Sequence, residues 1–586
     1  MTATFLLERV SDIAARDPRR AALRAGEGSL DYGDLLSTVR GVSDLLLAQG
    51  VGPEDVVATV LPRGGNPVVA VLAIWMAGAA YLPVDKNWPE RRRELVLAES
   101  ATFVLEPADA GATPGMPGES GLRVRRLGEA RTRAHGASAT ERNLAYAICT
   151  SGSTGVPQPV GVEYGALDNY TKYLHDLVTQ PGVHREGDQR VLLSADLSFD
   201  ASLRPVLLLA AGAELVVAPD LTEGSWQDHI DCIAEHKVTV LSGVPSWYSG
   251  LLGAGYLPDS NVRLGFIGGE AVPNNLVRTL VANGCTVMVQ YGPTETTVAA
   301  TGGRLDNDEF VEAPIGAALP GVHVQLYGNA DLDPAVDGEP AHLYVGGAGV
   351  ARGYLNNPRL TAERFVPNPS GPPGSRLFRT GDLVKPSSNG AYSFLGRLDD
   401  QVKVNGRRIE LTEISTVLNR HPAVAQSVAF VHRDAPNPIL VACYVGNGDG
   451  DGSEASVRDH LVSELPAYEV PAILRRVESL PVTERGKVDV SALATLVKPA
   501  ETDAPDAEDD DAGLSDVERR VITIVRTTLD SHCSIDDDFF TLGLSSLDSL
   551  NILAQIREEL GVRVRLRDFF QARNTRNLCK LIRVVH

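Results

Sequence analysis

Six consecutive residues, Thr150, Ser151, Gly152, Ser153, Thr154 and Gly155, carry the clearest chemical pattern in the chain. The two glycines relax the backbone, so successive amide N–H groups can converge on one anion. The hydroxyls add donors that rotate to suit phosphate oxygens. The run follows Leu144-Ala145-Tyr146-Ala147-Ile148-Cys149, which reads as a short buried strand. A loop cradling a nucleotide phosphate fits this pattern, and on composition alone a flexible Ser/Gly turn fits it as well. It is not a Walker loop: no Gly-Lys-Ser/Thr follows, and the position where a lysine would serve is Gln158.

Three further residues stand at places where chemistry is conceivable. Ser546 precedes an apolar-periodic run and follows Asp538-Phe539-Phe540-Thr541-Leu542-Gly543-Leu544; at a helix start a serine ordinarily caps. Asp200, in Ser198-Phe199-Asp200-Ala201-Ser202, reads the same way, as a cap for the next helix. Lys487, in Thr483-Glu484-Arg485-Gly486-Lys487-Val488-Asp489, is by itself a solvated loop cation.

The elements that must position them follow from periodicity. Residues 35–49 and 68–77 have helical spacing and 55–61 reads as a strand, so 1–140 alternates helix and strand, the mark of an α/β sheet. The Gly-, Ala-, Pro- and Arg-rich stretch 105–140 reads as a surface excursion. Alternation resumes over 190–300, and 314–360 is strand- and turn-rich. Charge density rises abruptly at Gly396-Arg397-Leu398-Asp399-Asp400, which places a boundary at Asp399. The expected units are 1–398, 399–498, an acidic, proline-containing linker at 499–513 that cannot bury apolar area, and a compact helical unit at 514–586 with helices near 517–529, 546–560 and 574–585.

Bulk properties narrow the function. A length of 586 residues requires several domains, and 43% hydrophobic residues are ample for packed cores. A net charge of -21 argues against a nucleic-acid partner. Residues 68–84 are apolar enough to raise a membrane question, but Gly78, Pro83 and Asp85 fit a buried helix followed by a strand, so no membrane partner is expected. The scattered cysteines lack disulfide or metal spacing, and the N-terminus lacks a signal-peptide layout; together they point to a reducing, cytoplasmic compartment.

Longer motifs then carry a family resemblance. Tyr291-Gly292-Pro293-Thr294-Glu295-Thr296-Thr297, Phe378-Arg379-Thr380-Gly381-Asp382-Leu383, the Thr150–Gly155 loop and Gly396-Arg397-Leu398-Asp399-Asp400-Gln401-Val402-Lys403 occur in the order found in non-ribosomal peptide synthetase adenylation domains. Those domains belong to the adenylate-forming superfamily, with acyl-CoA synthetases and luciferases. The Phe-Phe-x-Leu-Gly context of Ser546 resembles a peptidyl carrier protein. Leu544 stands where that family has a second glycine, and Ser545 where it has His or Asp. The implied fold is α/β: a large N-terminal subdomain with two α/β sheets and a small β-barrel, a smaller α+β C-terminal subdomain, and an all-α four-helix carrier bundle.

The resemblance also implies roles. Thr150, Ser151, Gly152, Ser153, Thr154, Gly155 and Thr294 would contact phosphate, Glu295 would hold Mg²⁺, and Asp382 would accept from the ribose hydroxyls. Tyr291, Arg397, Gly269, Glu270 and Ala271 would complete the ATP/AMP site. Lys487 would be the catalytic lysine, cancelling repulsion as a carboxylate attacks the α-phosphorus. Asp399 would be the hinge for a swing that withdraws Lys487 and brings the loop around Gly406 to a pantetheine tunnel. Ser546 would carry 4'-phosphopantetheine. Asp200 would pair with the substrate α-ammonium, with Ala201, Ser242, Phe266, Gly268, Gln290, Val298, Ala299 and Lys487 around the substrate. This set suits a polar or aromatic amino acid. The segment 199–212 is one residue shorter than the family pattern, so the register of Arg204 is open; an inward Arg204 would favour an acidic or hydrogen-bonding side chain.

The expected activity is ATP-dependent activation of an L-amino acid and its transfer as a thioester to the chain's own carrier. Expected partners are a phosphopantetheinyl transferase and downstream tailoring or condensation enzymes; some relatives require a small MbtH-like protein. Two other readings remain: an acyl-CoA synthetase with a fused helical module, and a degenerate carrier-presenting scaffold, the latter motivated by Gln158 and Pro159 where the family has Lys-Gly.

Overall fold

Apolar runs without polar alternation form the innermost strands. Val56–Thr59, Ala80–Pro83 and Glu214–Val217 are buried at every position, as strands covered on both faces must be. The computed structural model describes residues 4–585 except 109–120, 129–137, 153–156, 181–188, 222–223, 257, 259–260, 307–313, 330–331, 337, 388–389, 399–400, 405–406, 433–438, 449–450, 483–487, 498–513, 530–532, 538, 540–541, 543, 545, 563, 565–567 and 570–571.

The strands assemble into two large sheets. In the seven-stranded one, Phe103–Pro107, Val56–Thr59, Ala80–Pro83 and Leu144–Thr150 run parallel at the centre. In the nine-stranded one the parallel run is Ala21–Ala25, Glu214–Val217, Arg190–Leu193, Val240–Gly243, Leu264–Gly268 and Thr286–Tyr291. Helices Phe5–Arg16, Tyr32–Ala48, Gly65–Met76 and Tyr164–Thr179 contribute to one core with residues of both sheets. The membrane-like stretch is the helix Gly65–Met76 and the strand Ala80–Pro83, interior elements tied down by Trp75 Nε1 donating to Ala145 O at 2.8 Å and Tyr164 Oη donating to Ala79 O at 2.7 Å. Among the described residues no helix is long and apolar enough to cross a membrane.

Part of the stretch expected as a surface excursion is regular. Phe103–Pro107 pairs antiparallel with Leu122–Arg126 at the sheet edge. Arginines occupy the solvent-facing positions of that edge strand, so its apolar pattern is too sparse to reveal a strand. The strand-rich region beyond residue 314 is a five-stranded antiparallel sheet that reaches Arg397.

Beyond it, the hairpin Gln401–Val404/Arg407–Glu410 leads into helix Leu411–Leu418 and the sheet Val424–His432, Ile439–Gly446 and Ile473–Val477. This unit has its own core around Ile409, Ile414, Leu440, Tyr444 and Leu461. The helices Asp516–Leu529, Ser546–Leu560 and Thr575–Val585 pack round Phe539 and Phe569, whose rings stack at 4.4 Å.

Candidate active site

Ligands of open parallel sheets sit beyond the carboxyl ends of the strands. A cavity of about 330 Å³ lies there, lined by strand-end residues including Leu193, Ser242, Gly268 and Gln290, and closed by residues of the 401–410 hairpin. Its two ends differ in character.

At one end, Asp200 opens the short helical segment Asp200–Ala211, which Gly212 terminates at φ +80°. The carboxylate does not cap that segment: Phe199 holds the cap position. Asp200 is 5% exposed, its hydrogen bonds come from Thr294 and the Ala201 backbone, and Oδ2 has no partner. Burial pushes its carboxyl up to about 6.

Arg204 follows one helical turn later and faces the same cavity, which settles its register. Its Nε donates to Tyr170 Oη at 2.9 Å, its Nη1 donates to Ser242 Oγ at 2.8 Å, and the guanidinium lies 5.1 Å from the Phe266 ring centre. Tyr170 Oη donates to Gln290 Oε1 at 2.9 Å, and Gln290 Nε2 donates to Tyr173 Oη at 3.3 Å. The wall is shaped by backbone as well. A Cβ on Gly268 would lie 2.0 Å from Gln290 O. Val298 is held at φ +67°, a strained conformation for a β-branched residue.

At the other end the small unit fills the nucleotide region. Ser151 Oγ donates to Arg408 O at 2.9 Å and accepts from Glu410 N at 3.1 Å. Gly152 N donates to Glu413 Oε2 at 2.8 Å. Glu295 is fully buried and accepts from Arg408 Nη1 at 2.8 and 2.9 Å and from Tyr354 Oη at 2.5 Å. Burial opposes charge on Glu295, but Arg408 and Tyr354 outweigh it and hold the carboxyl below its usual range. Asp382 accepts from Arg397 Nη1 at 2.6 Å and from Tyr291 Oη. Burial pushes the Lys403 ammonium down, against the attraction of Asp382. Behind this region Arg92 bridges Glu413 at 2.9 Å and Glu469 at 3.3 Å, all three nearly sealed from solvent. Burial raises both glutamates' affinity for a proton.

The structure therefore brings Thr150, Ser151, Asp200, Ala201, Ser242, Gly268, Gly269, Gln290, Thr294, Val298, Asp382 and Arg397 to one cavity. Gly152 is engaged by Glu413, Phe266 lies under Arg204, and Tyr291 and Glu295 reach the site through Asp382 and Arg408. Ala299 is buried but is not part of the lining, and Ala271 is exposed. Glu270 is not part of the lining; its carboxylate accepts from N and Oγ of the lining residue Ser246 at 2.8 and 2.9 Å. Gln158 accepts from Asn357 Nδ2 at 2.8 Å. Ser153, Thr154, Gly155, Asp399, Gly406 and Lys487 lie outside the described residues.

Sequence reasoning gave no role to Arg92, Arg407, Arg408, Glu413, Tyr468 and Glu469. The available signals were the basic cluster Lys403, Arg407 and Arg408 just past the charge boundary and the family-like run Leu465-Pro466-Ala467-Tyr468-Glu469-Val470-Pro471. Ser546 is the first residue of helix Ser546–Leu560. Arg557 of that helix donates to Asp228 Oδ1 at 2.8 Å and Ser225 Oγ at 2.9 Å, the capping box of helix Trp226–Glu235 in the large unit. Trp226 of that helix lines the cavity.

Comparison with known proteins accounts for this arrangement. Residues 10–355 match the AMP-binding enzyme family, 413–487 its C-terminal domain, and 519–582 a phosphopantetheine attachment site. The chain is 35% identical over 568 residues (94% of its length) to a probable non-canonical nonribosomal peptide synthetase, CymA, of Salinispora arenicola. It is 36% identical over 570 residues (95%) to a linear gramicidin synthase of Brevibacillus parabrevis. It spans 7% of the length of each of these relatives. In fold it is similar to holo-PA1221, an adenylation and PCP protein solved with a vinylsulfonamide inhibitor, at TM-score 0.78 and 24% identity over 99% of this chain and 96% of that one.

AMP-binding enzymes use ATP with Mg²⁺, and the attachment site carries 4'-phosphopantetheine. The residues present fit these groups. Glu295 offers the carboxylate oxygen that Mg²⁺ prefers, Asp382 and Arg397 stand at one cavity with Thr150 and Ser151, and Ser546 heads the helix that docks beside the cavity wall. The chain belongs to the AMP-binding enzyme family, as an adenylation domain fused to a phosphopantetheine carrier domain.

Proposed function

We propose that the chain activates an amino acid as its adenylate and loads it onto its own carrier. The observation that carries this reading is the buried, unpartnered Oδ2 of Asp200 beside Thr294. The Lys403 charge attracts this carboxylate, but no donor reaches Oδ2. A carboxylate oxygen sealed in a cavity without a hydrogen bond is costly, and the α-ammonium of an amino acid would supply both the bond and a charge. An aryl or fatty acid would leave it unpaired.

In the first half-reaction the substrate carboxylate oxygen attacks the α-phosphorus of ATP and pyrophosphate departs. We assign the ammonium to Asp200, the phosphates to Thr294 and the loop of residues 150–155, and the ribose to Asp382 with Arg397. We assign Glu295 to Mg²⁺, which neutralises phosphate charge, and Lys487 to the cation between the reacting anions. Ser546 would hold phosphopantetheine, whose thiol would accept the aminoacyl group with AMP as the leaving group. The orientation described suits this second step. Arg408 covers Glu295, Glu413 covers the Gly152 amide, and Arg557 secures the carrier beside the cavity. In the first step those contacts must open, with Asp399 as the hinge.

A phosphopantetheinyl transferase and downstream enzymes are the partners this assigns. The test is amino-acid-dependent ATP–pyrophosphate exchange, followed by mass spectrometry of the holo-carrier. Exchange and a carrier heavier by one aminoacyl group are expected. Ser546→Ala should retain exchange and lose loading; release of a free coenzyme A thioester would instead support the acyl-CoA synthetase reading.

A further inference from the structure

Arg204 is 4% exposed and lines the same cavity one helical turn from Asp200, yet among the described residues it forms no ion pair with a carboxylate. A guanidinium stays charged, so its burial without a counter-ion is costly. Neutral groups fix its orientation instead. Tyr170 and Ser242 take Nε and Nη1, Gln290 and Tyr173 extend the relay behind Tyr170, and Phe266 packs against the face. The Nη2 edge makes no hydrogen bond among the described residues. It thus resembles a pre-aligned fork for a planar anion.

We propose that this pocket selects an amino acid whose side chain ends in a carboxylate, the aspartate–glutamate class, with Arg204 as its specificity-determining partner. The inference rests on the amino-acid-activating reading above. Direction separates the substrate's two carboxylates. Asp200 hydrogen-bonds Thr294, the phosphate-side residue, so an α-ammonium on Asp200 leaves the α-carboxylate facing ATP. Arg204 lies one turn away among Ser242, Gln290 and Phe266, where the side chain must go. Gln290, the polar residue expected to meet the side chain, is engaged in the relay: its side-chain amide is taken at both ends by tyrosines.

The experiment is pyrophosphate exchange by the full-length chain with aspartate, glutamate and 2-aminoadipate, their side-chain amides where these exist, phenylalanine and leucine. One acid should exceed its own amide by about tenfold or more in kcat/KM, because the amide leaves the cation unneutralised. Arg204→Met should bring that ratio towards one, whereas Arg204→Lys should retain a preference for the acid. A best response to phenylalanine, leucine or an amide overturns the proposal and leaves the amino-acid reading intact. So does an acid preference unchanged in Arg204→Met. Exchange with none of these but with an aryl or fatty acid overturns both.

Discussion

The two ends of the cavity handle buried charge in opposite ways. At the amino-acid end, Asp200 and Arg204 line the cavity, and the protein spends neutral hydroxyls and an amide to hold them still. At the nucleotide end, the loop amide of Gly152, the Ser151 hydroxyl and the Glu295 carboxylate are all engaged by the small unit. The first end is built for a ligand that fits once and is preorganised for it. The second must serve two steps, so its groups need an internal partner whenever the nucleotide phosphates are gone. This difference predicts that substitutions at the first end change which molecule binds, and substitutions at the second change which step proceeds.

The largest effect is expected at Asp200. Asp200→Asn removes the charge that the ammonium meets, and charge-assisted hydrogen bonds of this type are worth roughly 1.5–3 kcal/mol. Exchange should fall on the order of 100-fold. The folded protein should not suffer, because a carboxyl raised to about 6 opposes folding at higher pH. An unfolded aspartate ionises first as pH rises from about 4, so stability declines until the folded group ionises too, a loss of roughly 3 kcal/mol for about two pKa units. The Asp200→Asn variant would carry no such loss, so its Tm at pH 8 should equal or exceed that of the natural chain. Lowered Tm with normal exchange would show Asp200 to be structural.

The same group sets a pH dependence. The free protein needs Asp200 ionised, so kcat/KM for the amino acid should fall about tenfold per pH unit below about 6. Asp200→Asn should flatten that limb. An unchanged limb in the variant would assign it to another group.

Much of the amino-acid end was legible in the sequence, since Asp200 and Ala201 are adjacent and Ser242, Gly268 and Gln290 end consecutive parallel strands. Arg204 was not, because an apparent one-residue deletion left its direction open until the helical turn was seen. The nucleotide end was legible only in its fixed half. Arg92 and Glu413 stand 321 positions apart and Arg408 and Glu295 stand 113 apart, and they meet only through the orientation of one unit against another. No local periodicity encodes such an orientation.

That orientation supplies the next test. Arg408→Ala leaves Glu295 buried without its cation only while the hairpin faces the cavity, so it disfavours this arrangement relative to one in which Glu295 meets Mg²⁺. Loading of the holo-carrier should slow about tenfold, a coupling of roughly 1.4 kcal/mol, while exchange does not fall. Loss of exchange with normal loading from supplied aminoacyl-adenylate would reverse the assignment of steps.

The smallest effect is expected at Gln158, where the family has a lysine. Its amide oxygen accepts from Asn357, which also caps helix Pro358–Arg364 through Oδ1 accepting from Leu360 N at 3.1 Å. The side chain is therefore held by Asn357, and under the proposed assignment phosphate binding would rest on the loop's backbone amides and hydroxyls and on Mg²⁺. Gln158→Lys forfeits that acceptor, at a cost of about 1 kcal/mol in stability. The freed ammonium gains access to the phosphates, so the ATP KM should fall about threefold with the amino-acid KM unchanged. The asymmetry between the two ends requires that last point: a change at the nucleotide end should not alter recognition at Asp200 and Arg204. If the substitution instead raised activity from nothing to a full rate, the natural loop would be crippled, and the scaffold reading would replace the enzymatic one.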